Sequence, residues 1–97
     1  MSLPARRNPK RDANEADIVA ALREAGHKVW PISGEGIPDL LVLAGNKWLL
    51  LEVKRTGAAG RLTDAQIRFF GASQSAPRGV VRTAQEALEF VTQWGTA

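Results

Sequence analysis

The sequence contains no cysteine and no tyrosine, and it has a single histidine, His27. Without cysteine the chain forms neither disulfides nor thiolate metal sites, and this absence predicts an intracellular protein in a reducing environment. A zinc site draws its ligands mainly from cysteine and histidine, so none is predicted. His27 lies at the start of an expected strand, where a structural role is commoner than a catalytic one.

Long hydrophobic runs are also missing. No apolar run approaches the ~20 residues that cross a bilayer, and no apolar stretch of the signal-peptide type follows the N-terminal arginines. The phosphate-binding loop G-x-x-x-x-G-K-[ST] does not occur either. What is present is a chain of 97 residues, 44% of them hydrophobic, for which one domain with a modest core is expected. We predict no membrane segment and no nucleotide cofactor.

The positive charge is concentrated at the N-terminus. The net charge is +3, and residues 1–11 carry Arg6, Arg7, Lys10 and Arg11 without any acidic residue. Such a segment indicates an anionic partner, with nucleic acid the first candidate, although a merely solvated terminus fits the charge equally well. We predict a flexible basic arm over residues 1–12 and a single domain over residues 13–97.

Apolar periodicity and turn residues predict the element order α-β-β-β-α-β-α, an α/β fold in which helices flank a mixed sheet. The first helix is expected to begin at a cap, Asp12 or Asn14, and to end at Gly26. The strand at residues 27–32 contains a proline and is therefore expected at a sheet edge or at a bend. The inward-facing positions of the first helix are expected to be Ile18, Val19, Leu22 and Ala25.

Two further helices are predicted in the second half of the chain. Thr63 caps the first of them, and Gln66 at its third helical position completes a capping box. A short strand at residues 79–82 follows, and Thr83 caps a last helix over residues 84–94. The apolar residues expected to face inward on these elements are Ile67, Phe70, Val80, Val81, Leu88, Val91 and either Trp94 or Phe90.

Charged residues stand at the open end of a predicted hairpin in the stretch GIPDLLVLAGNKWLLLEVK. Its apolar strands flank Gly45-Asn46, and in the register of that two-residue turn Asp39 lies directly opposite Glu52. A turn one residue later would place Asp39 opposite Lys54. Since Glu52 and Lys54 are two residues apart, their side chains point to the same face. Either register gathers the three charged groups at one end of the sheet.

This arrangement needs a compensating interaction. Carboxylates directly opposite each other have Cβ atoms about 4.5–5.5 Å apart and repel each other. A cation such as Mg²⁺, which is held by one or two carboxylates, waters and phosphate oxygens, would offset the repulsion. Lys54 could then orient a water or stabilise charge on a phosphate. The alternative is that Lys54 only forms salt bridges with Asp39 and Glu52.

The residues around the hairpin resemble a known family. Pro38-Asp39, separated by twelve residues from Glu52-Val53-Lys54, resembles the PD-(D/E)XK nuclease motif. The preceding helix with its glutamate, the GEGIPDLL stretch and the GRLTDAQ stretch are similar more specifically to the VRR-NUC branch, the virus-type replication-repair nuclease domain. The resemblance runs from about residue 14 to about residue 90, nearly the whole expected domain.

The resemblance implies a restriction-endonuclease-like core and metal-dependent hydrolysis of DNA phosphodiester bonds. Asp39 and Glu52 would bind Mg²⁺ or Mn²⁺ with the backbone carbonyl of Val53, and Glu15 would reach the metal directly or through water. Lys54 would position or activate the attacking water. The residues that the resemblance implies for the catalytic site are Asp39, Glu52, Lys54, Glu15 and Gln66.

Small standalone members of this family are similar to Holliday-junction resolvases and act as homodimers, which implies branched DNA as the substrate and a homodimer here. The other functions considered are a nicking or flap nuclease, the nuclease subunit of a phage or repair complex, and a DNA-binding module without catalysis. The residues expected to contact DNA phosphates, rather than to be solvated charges, are Arg55, Arg61, Lys28, Arg6, Arg7, Lys10 and Arg11.

Structural roles compete with the catalytic ones at two of these positions. Glu15, if it lies in the first turn of a helix, would favour the helix dipole, and Gln66 has its capping-box role. The tryptophans Trp30, Trp48 and Trp94 are expected to fill the core rather than to stack on bases. For Trp30, which stands beside a proline bend, partial exposure is the alternative.

Overall fold

The computed structural model describes residues 9–55 and 61–95, and the side chains of residues 14–55 and 61–94. Helices and strands follow one another in the predicted order. They are α1 (Pro9–Glu24), β1 (Lys28–Pro31), β2 (Leu40–Ala44), β3 (Lys47–Val53), α2 (Asp64–Ala72), β4 (Arg78–Val81) and α3 (Ala84–Gly95). Within these ranges no helix combines the length and the apolarity that crossing a bilayer requires.

The first helix begins earlier than the sequence predicted. It starts at Pro9, because proline has a helical φ and lacks an N–H group that the first turn would leave without an intrahelical acceptor anyway. The predicted caps Asp12 and Asn14 therefore lie inside α1, and residues 9–12 of the predicted flexible arm are helical. Residues 1–8 lie outside the described part of the chain.

The end of α1 is at the predicted position. Gly26 has a φ of 96°, which favours glycine over residues with a side chain. Its N–H donates to the carbonyl of Arg23, and the N–H of His27 donates to the carbonyl of Leu22, both at 3.0 Å. This pair of bonds is the Schellman motif, so local chemistry alone stops the helix.

The four strands form one mixed sheet in the order β1-β2-β3-β4. β1, β2 and β3 are antiparallel neighbours, and β4 runs parallel to β3. The predicted turn is confirmed, because Ala44 pairs with Lys47 across Gly45-Asn46. Gly45 has a φ of 64° while Asn46 does not have a positive φ, the pattern of a type II′ turn. β1 lies at an edge, as its proline indicated.

The core lies on one face of this sheet, against α1 and α3. The buried apolar residues of the core are Ile18, Leu22, Val29, Leu40, Val42, Ala44, Leu49, Leu51, Val53, Val81, Ala87 and Val91. Ala25 was predicted to face inward but is exposed. On α3, Phe90 packs against the core and Trp94 is 42% exposed, which decides between the two alternatives.

The other face of the sheet is only partly covered. Helix α2 lies on this side, but none of its own residues is fully buried. Ile67, which was predicted to face inward, is exposed. The prediction that the tryptophans fill the core is wrong, since Trp30 is 44% and Trp48 52% exposed. Strand alternation places both on the face opposite the core, where the described residues provide no long helix to cover them.

Gly36 fixes the loop before β2 against α2. Its φ is 82°, and an added Cβ would lie 2.9 Å from both the Cβ and the carbonyl oxygen of Ala65. We expect Gly36→Ala to lower the free energy of unfolding by about 1–3 kcal/mol, measured by urea denaturation. Gly71→Ala in α2 is the control, because its methyl group meets nothing within 4 Å. Equal losses in both variants would contradict this role of Gly36.

Candidate active site

A buried carboxylate lies near the C-terminal end of β3. Glu52 is 1% exposed, and its side chain projects toward α2, away from the core. Two residues further, Lys54 places its Nζ 3.7 Å from Oε2 of Glu52. Removing a carboxylate from water costs several kcal/mol unless nearby donors and charges compensate. The contacts of Glu52 therefore determine how this end of the sheet is built.

Gln66 connects this carboxylate to the start of α2. Its Nε2 donates to Oε2 of Glu52 at 2.8 Å. Its Oε1 accepts the N–H of Thr63 at 2.8 Å, and its own N–H donates to Oγ1 of Thr63 at 3.2 Å, so the predicted capping box is confirmed. Because the cap uses the amide oxygen, the amide NH₂ group is directed at Glu52. The same side chain caps the helix and contacts the site.

Asp39 lies where the pairing of β2 with β3 ends. The last ladder pair joins Leu40 to Leu51, and the N–H of Asp39 donates to the carbonyl of that same Leu51 at 3.0 Å. Asp39 therefore does not form the predicted ladder pair with Glu52. Instead its Oδ2 accepts the N–H of Val53 at 2.8 Å, which holds the carboxylate against the β3 backbone one residue from Glu52.

Helix α1 adds a third acidic residue to this region. Nδ2 of Asn14 donates to the carbonyl of Lys54 at 3.2 Å, and the next residue, Glu15, is buried. Since α1 begins at Pro9, Glu15 lies beyond the first turn, and the helix-dipole role considered from the sequence is wrong. Asn14 was expected only as a cap. No sequence signal distinguishes that role from the contact with β3, which depends on how α1 packs.

The basic residues expected at DNA phosphates are distributed unevenly. Arg55 follows Lys54 directly and is half-buried, whereas Arg61, which precedes α2, is exposed. Lys28 pairs with Leu43 near the turn of the hairpin, at the opposite end of the sheet from the site. The positions that lie outside the described side chains are Arg6, Arg7, Lys10 and Arg11.

The oxygen donors near Val53 fit a hard divalent cation. Among the described residues there is no group of three or more histidine, aspartate or glutamate side chains arranged for a metal ion. Asp39, Glu52 and Glu15 therefore do not form a preformed trio. Mg²⁺ needs only one or two carboxylates when waters and phosphate oxygens complete its octahedron, and Asp39 with Glu52 supplies these.

Comparison of the chain with protein-family models, with curated proteins and with solved structures found no match. The chemistry proposed for this chain therefore rests on its own residues, on their spacing and on the contacts described above.

The hydrogen bond between Gln66 and Glu52 should contribute measurably to the free energy of unfolding. Gln66→Ala removes this bond and the half of the capping box that the Gln66 side chain supplies, and we expect the free energy of unfolding to fall by about 2–4 kcal/mol. Thr63→Ala weakens the cap but keeps the contact with Glu52, and should cost about 1 kcal/mol. Urea denaturation of both variants gives the comparison.

A double-mutant cycle tests the origin of the difference. In a Glu52→Leu background no buried carboxylate remains, so Gln66→Ala should cost no more than Thr63→Ala. If the two variants cost the same with Glu52 in place, the 2.8 Å contact contributes nothing to stability.

Proposed function

We propose that the protein is a metal-dependent DNA endonuclease with a restriction-endonuclease-like core that hydrolyses phosphodiester bonds. One observation carries the proposal: buried Glu52 has Nζ of Lys54 at 3.7 Å, and Asp39 is bound to the next backbone N–H at 2.8 Å. Two carboxylates and an ammonium thus meet at the open end of a hairpin. The element order agrees with such a core.

In this proposal Asp39 and Glu52 would hold Mg²⁺ or Mn²⁺, with the backbone carbonyl of Val53 as a further ligand. The ion, when bound, supplies positive charge beside the scissile phosphate and acidifies a coordinated water. Lys54 orients the attacking water and stabilises negative charge that develops on the phosphate oxygens. Water adds to phosphorus and one bridging P–O bond breaks, which leaves a phosphate monoester and a free hydroxyl group.

Two further residues act on the site from the flanking helices. Gln66 positions Glu52 through its 2.8 Å hydrogen bond and supports the side of the site that faces the scissile bond. Glu15 would reach the water shell of a bound ion from α1, which is attached to Lys54 through Asn14. Arg55 and Arg61 contact DNA phosphates on either side of the cut.

The burial of Glu52 favours catalysis over a purely structural ion pair. Surface salt bridges contribute about 0–1 kcal/mol, and a buried ion pair is often no more stabilising than apolar residues of similar volume. A carboxylate that is 1% exposed is therefore a poor means of stabilising a small domain. A DNA-binding module without catalysis would have no use for it.

We further propose that the substrate is branched DNA and that the enzyme is a homodimer. A single subunit offers one active site, whereas resolution of a four-way junction needs two symmetric cuts. A two-fold dimer supplies a second site in the symmetric orientation. A nicking or flap nuclease, or a nuclease subunit of a larger phage or repair complex, is the alternative with the same chemistry.

Cleavage should depend on the two carboxylates, the lysine and the metal. Asp39→Asn, Glu52→Gln and Lys54→Met should each lower the cleavage rate of labelled DNA by about 100-fold or more, with folding and DNA binding retained. Glu35→Gln, an exposed carboxylate in the loop before β2, is the control and should cut normally. Wild-type rates from Glu52→Gln, or cleavage in excess chelator, would contradict the mechanism.

The metal itself gives the same prediction a readout apart from cleavage. Mn²⁺ should raise the melting temperature of the wild-type chain and of Glu35→Gln, because an ion that binds only the folded state stabilises it. The shift should be absent in Asp39→Asn. A DNA-binding module without a metal site would show no shift in any of the three proteins.

Substrate geometry is tested with a panel of labelled DNA. A four-way junction should be cut in preference to linear, nicked and flapped DNA, with paired and symmetric cuts, in Mg²⁺ and in Mn²⁺. Sedimentation should give twice the mass of one chain. Comparable cleavage of linear duplex would exclude a resolvase, and preference for the flap would favour the alternative enzyme.

A further inference from the structure

The partly covered face of the sheet carries aromatic and basic side chains in rows that lead to the candidate site. Nearest the turn, the ladder pairs Lys28 with Leu43 and Leu43 with Trp48. The next row consists of Trp30, Leu41, Leu50 and Arg78. Glu52, two residues after Leu50, belongs to the row beyond that. Since a strand rises about 3.4 Å per residue, successive rows are about 7 Å apart.

We propose that this face binds unpaired nucleotides of the substrate, with Trp30 and Trp48 stacking on bases. The inference rests on the proposed nuclease function. The two indole rings contact each other with centroids 5.9 Å apart and a tilt of 35°, and each is about half exposed. Adjacent aromatic rings beside basic groups are the means by which proteins bind single-stranded nucleic acid. Bases have π-faces that such rings accept without regard to sequence.

The charges of the face favour an anionic occupant. In the two rows nearest the turn the only charged side chains are Lys28 and Arg78. Arg78 donates to the carbonyl of Phe70 at 2.7 Å and to Oγ of Ser73 at 3.2 Å, and its guanidinium lies 4.8 Å from the Phe70 ring centroid. These partners are neutral, so the positive charge stays available to a phosphate. Two copies packed through this face would bring like charges together.

The position of the face defines the class of substrate. A single strand that lies along the rows would place bases on Trp48 and Trp30 and then bring a phosphate to Glu52 and Lys54. The preferred DNA therefore has unpaired nucleotides next to the scissile bond, as a four-way junction opened at its branch point does. Fully paired duplex cannot present its bases to these rings.

The test measures binding in chelator, so that catalysis plays no part. Fluorescence anisotropy of labelled oligothymidylate and of a short duplex is compared for wild type, Trp48→Leu and Trp48→Phe. We expect Trp48→Leu to weaken single-strand binding by about tenfold, Trp48→Phe to retain most of it, and duplex binding to change little. Trp94→Leu is the matched control, because Trp94 is 42% exposed and contacts Phe90 on the α3 side of the sheet.

Several outcomes would overturn the inference. Unchanged single-strand binding by Trp48→Leu would exclude the stacking platform, whether or not the protein cuts DNA. Equal weakening by Trp94→Leu would do the same. Sedimentation that shows a wild-type dimer dissociated by Trp48→Leu would assign the face to a second copy of the chain. If Trp48→Leu fails to fold, the tryptophan fluorescence of the wild-type protein is measured instead. Quenching by oligothymidylate but not by duplex would support the proposal, and no quenching would overturn it.

Discussion

The burial of one carboxylate, that of Glu52, organises the end of the sheet around which the proposed chemistry is built. An isolated charge at 1% exposure would be strongly unfavourable, so its neighbours have to supply donors and positive charge. Gln66 donates at 2.8 Å from the first turn of α2, and Lys54 contributes its ammonium from the same strand at 3.7 Å. The capping box of α2 therefore serves the site as well as the helix, because the cap fixes which end of the Gln66 amide faces the carboxylate.

The backbone at the end of β3 is the second common element. Asp39 accepts the N–H of Val53, and Asn14 donates to the carbonyl of Lys54. The loop before β2 and the helix α1 are thus both bound to two adjacent residues that follow Glu52 directly. Such attachment to the end of a strand gives side chains a more defined geometry than attachment to a loop would. The bond from the N–H of Val53 to Asp39 contributes to this, because it fixes the carboxylate at the point where the ladder stops.

The two faces of the sheet have different uses in a chain of this size. α1 and α3 cover one face and complete the core there. Among the described elements only α2, which has no fully buried residue of its own, meets the other face, and Trp30 and Trp48 stay exposed there on the same face as Lys28. A small domain buries a smaller fraction of its surface than a large one, so one partly covered apolar face is a natural consequence. That face adjoins the acidic site and is the surface for which single-strand binding is proposed.

The sequence by itself determined the element order, the Gly45-Asn46 turn, the capping box of Thr63 with Gln66 and the end of α1 at Gly26. Each depends on residues close together in the chain. Only the tertiary structure decided which residues from distant parts of the chain contact one another. It bound the Asp39 carboxylate to the N–H of Val53 beyond the last ladder pair, joined Asn14 to the carbonyl of Lys54 and left the tryptophans outside the core. These outcomes depend on where the ladder ends and on which face the helices cover, and both are set by contacts between distant segments.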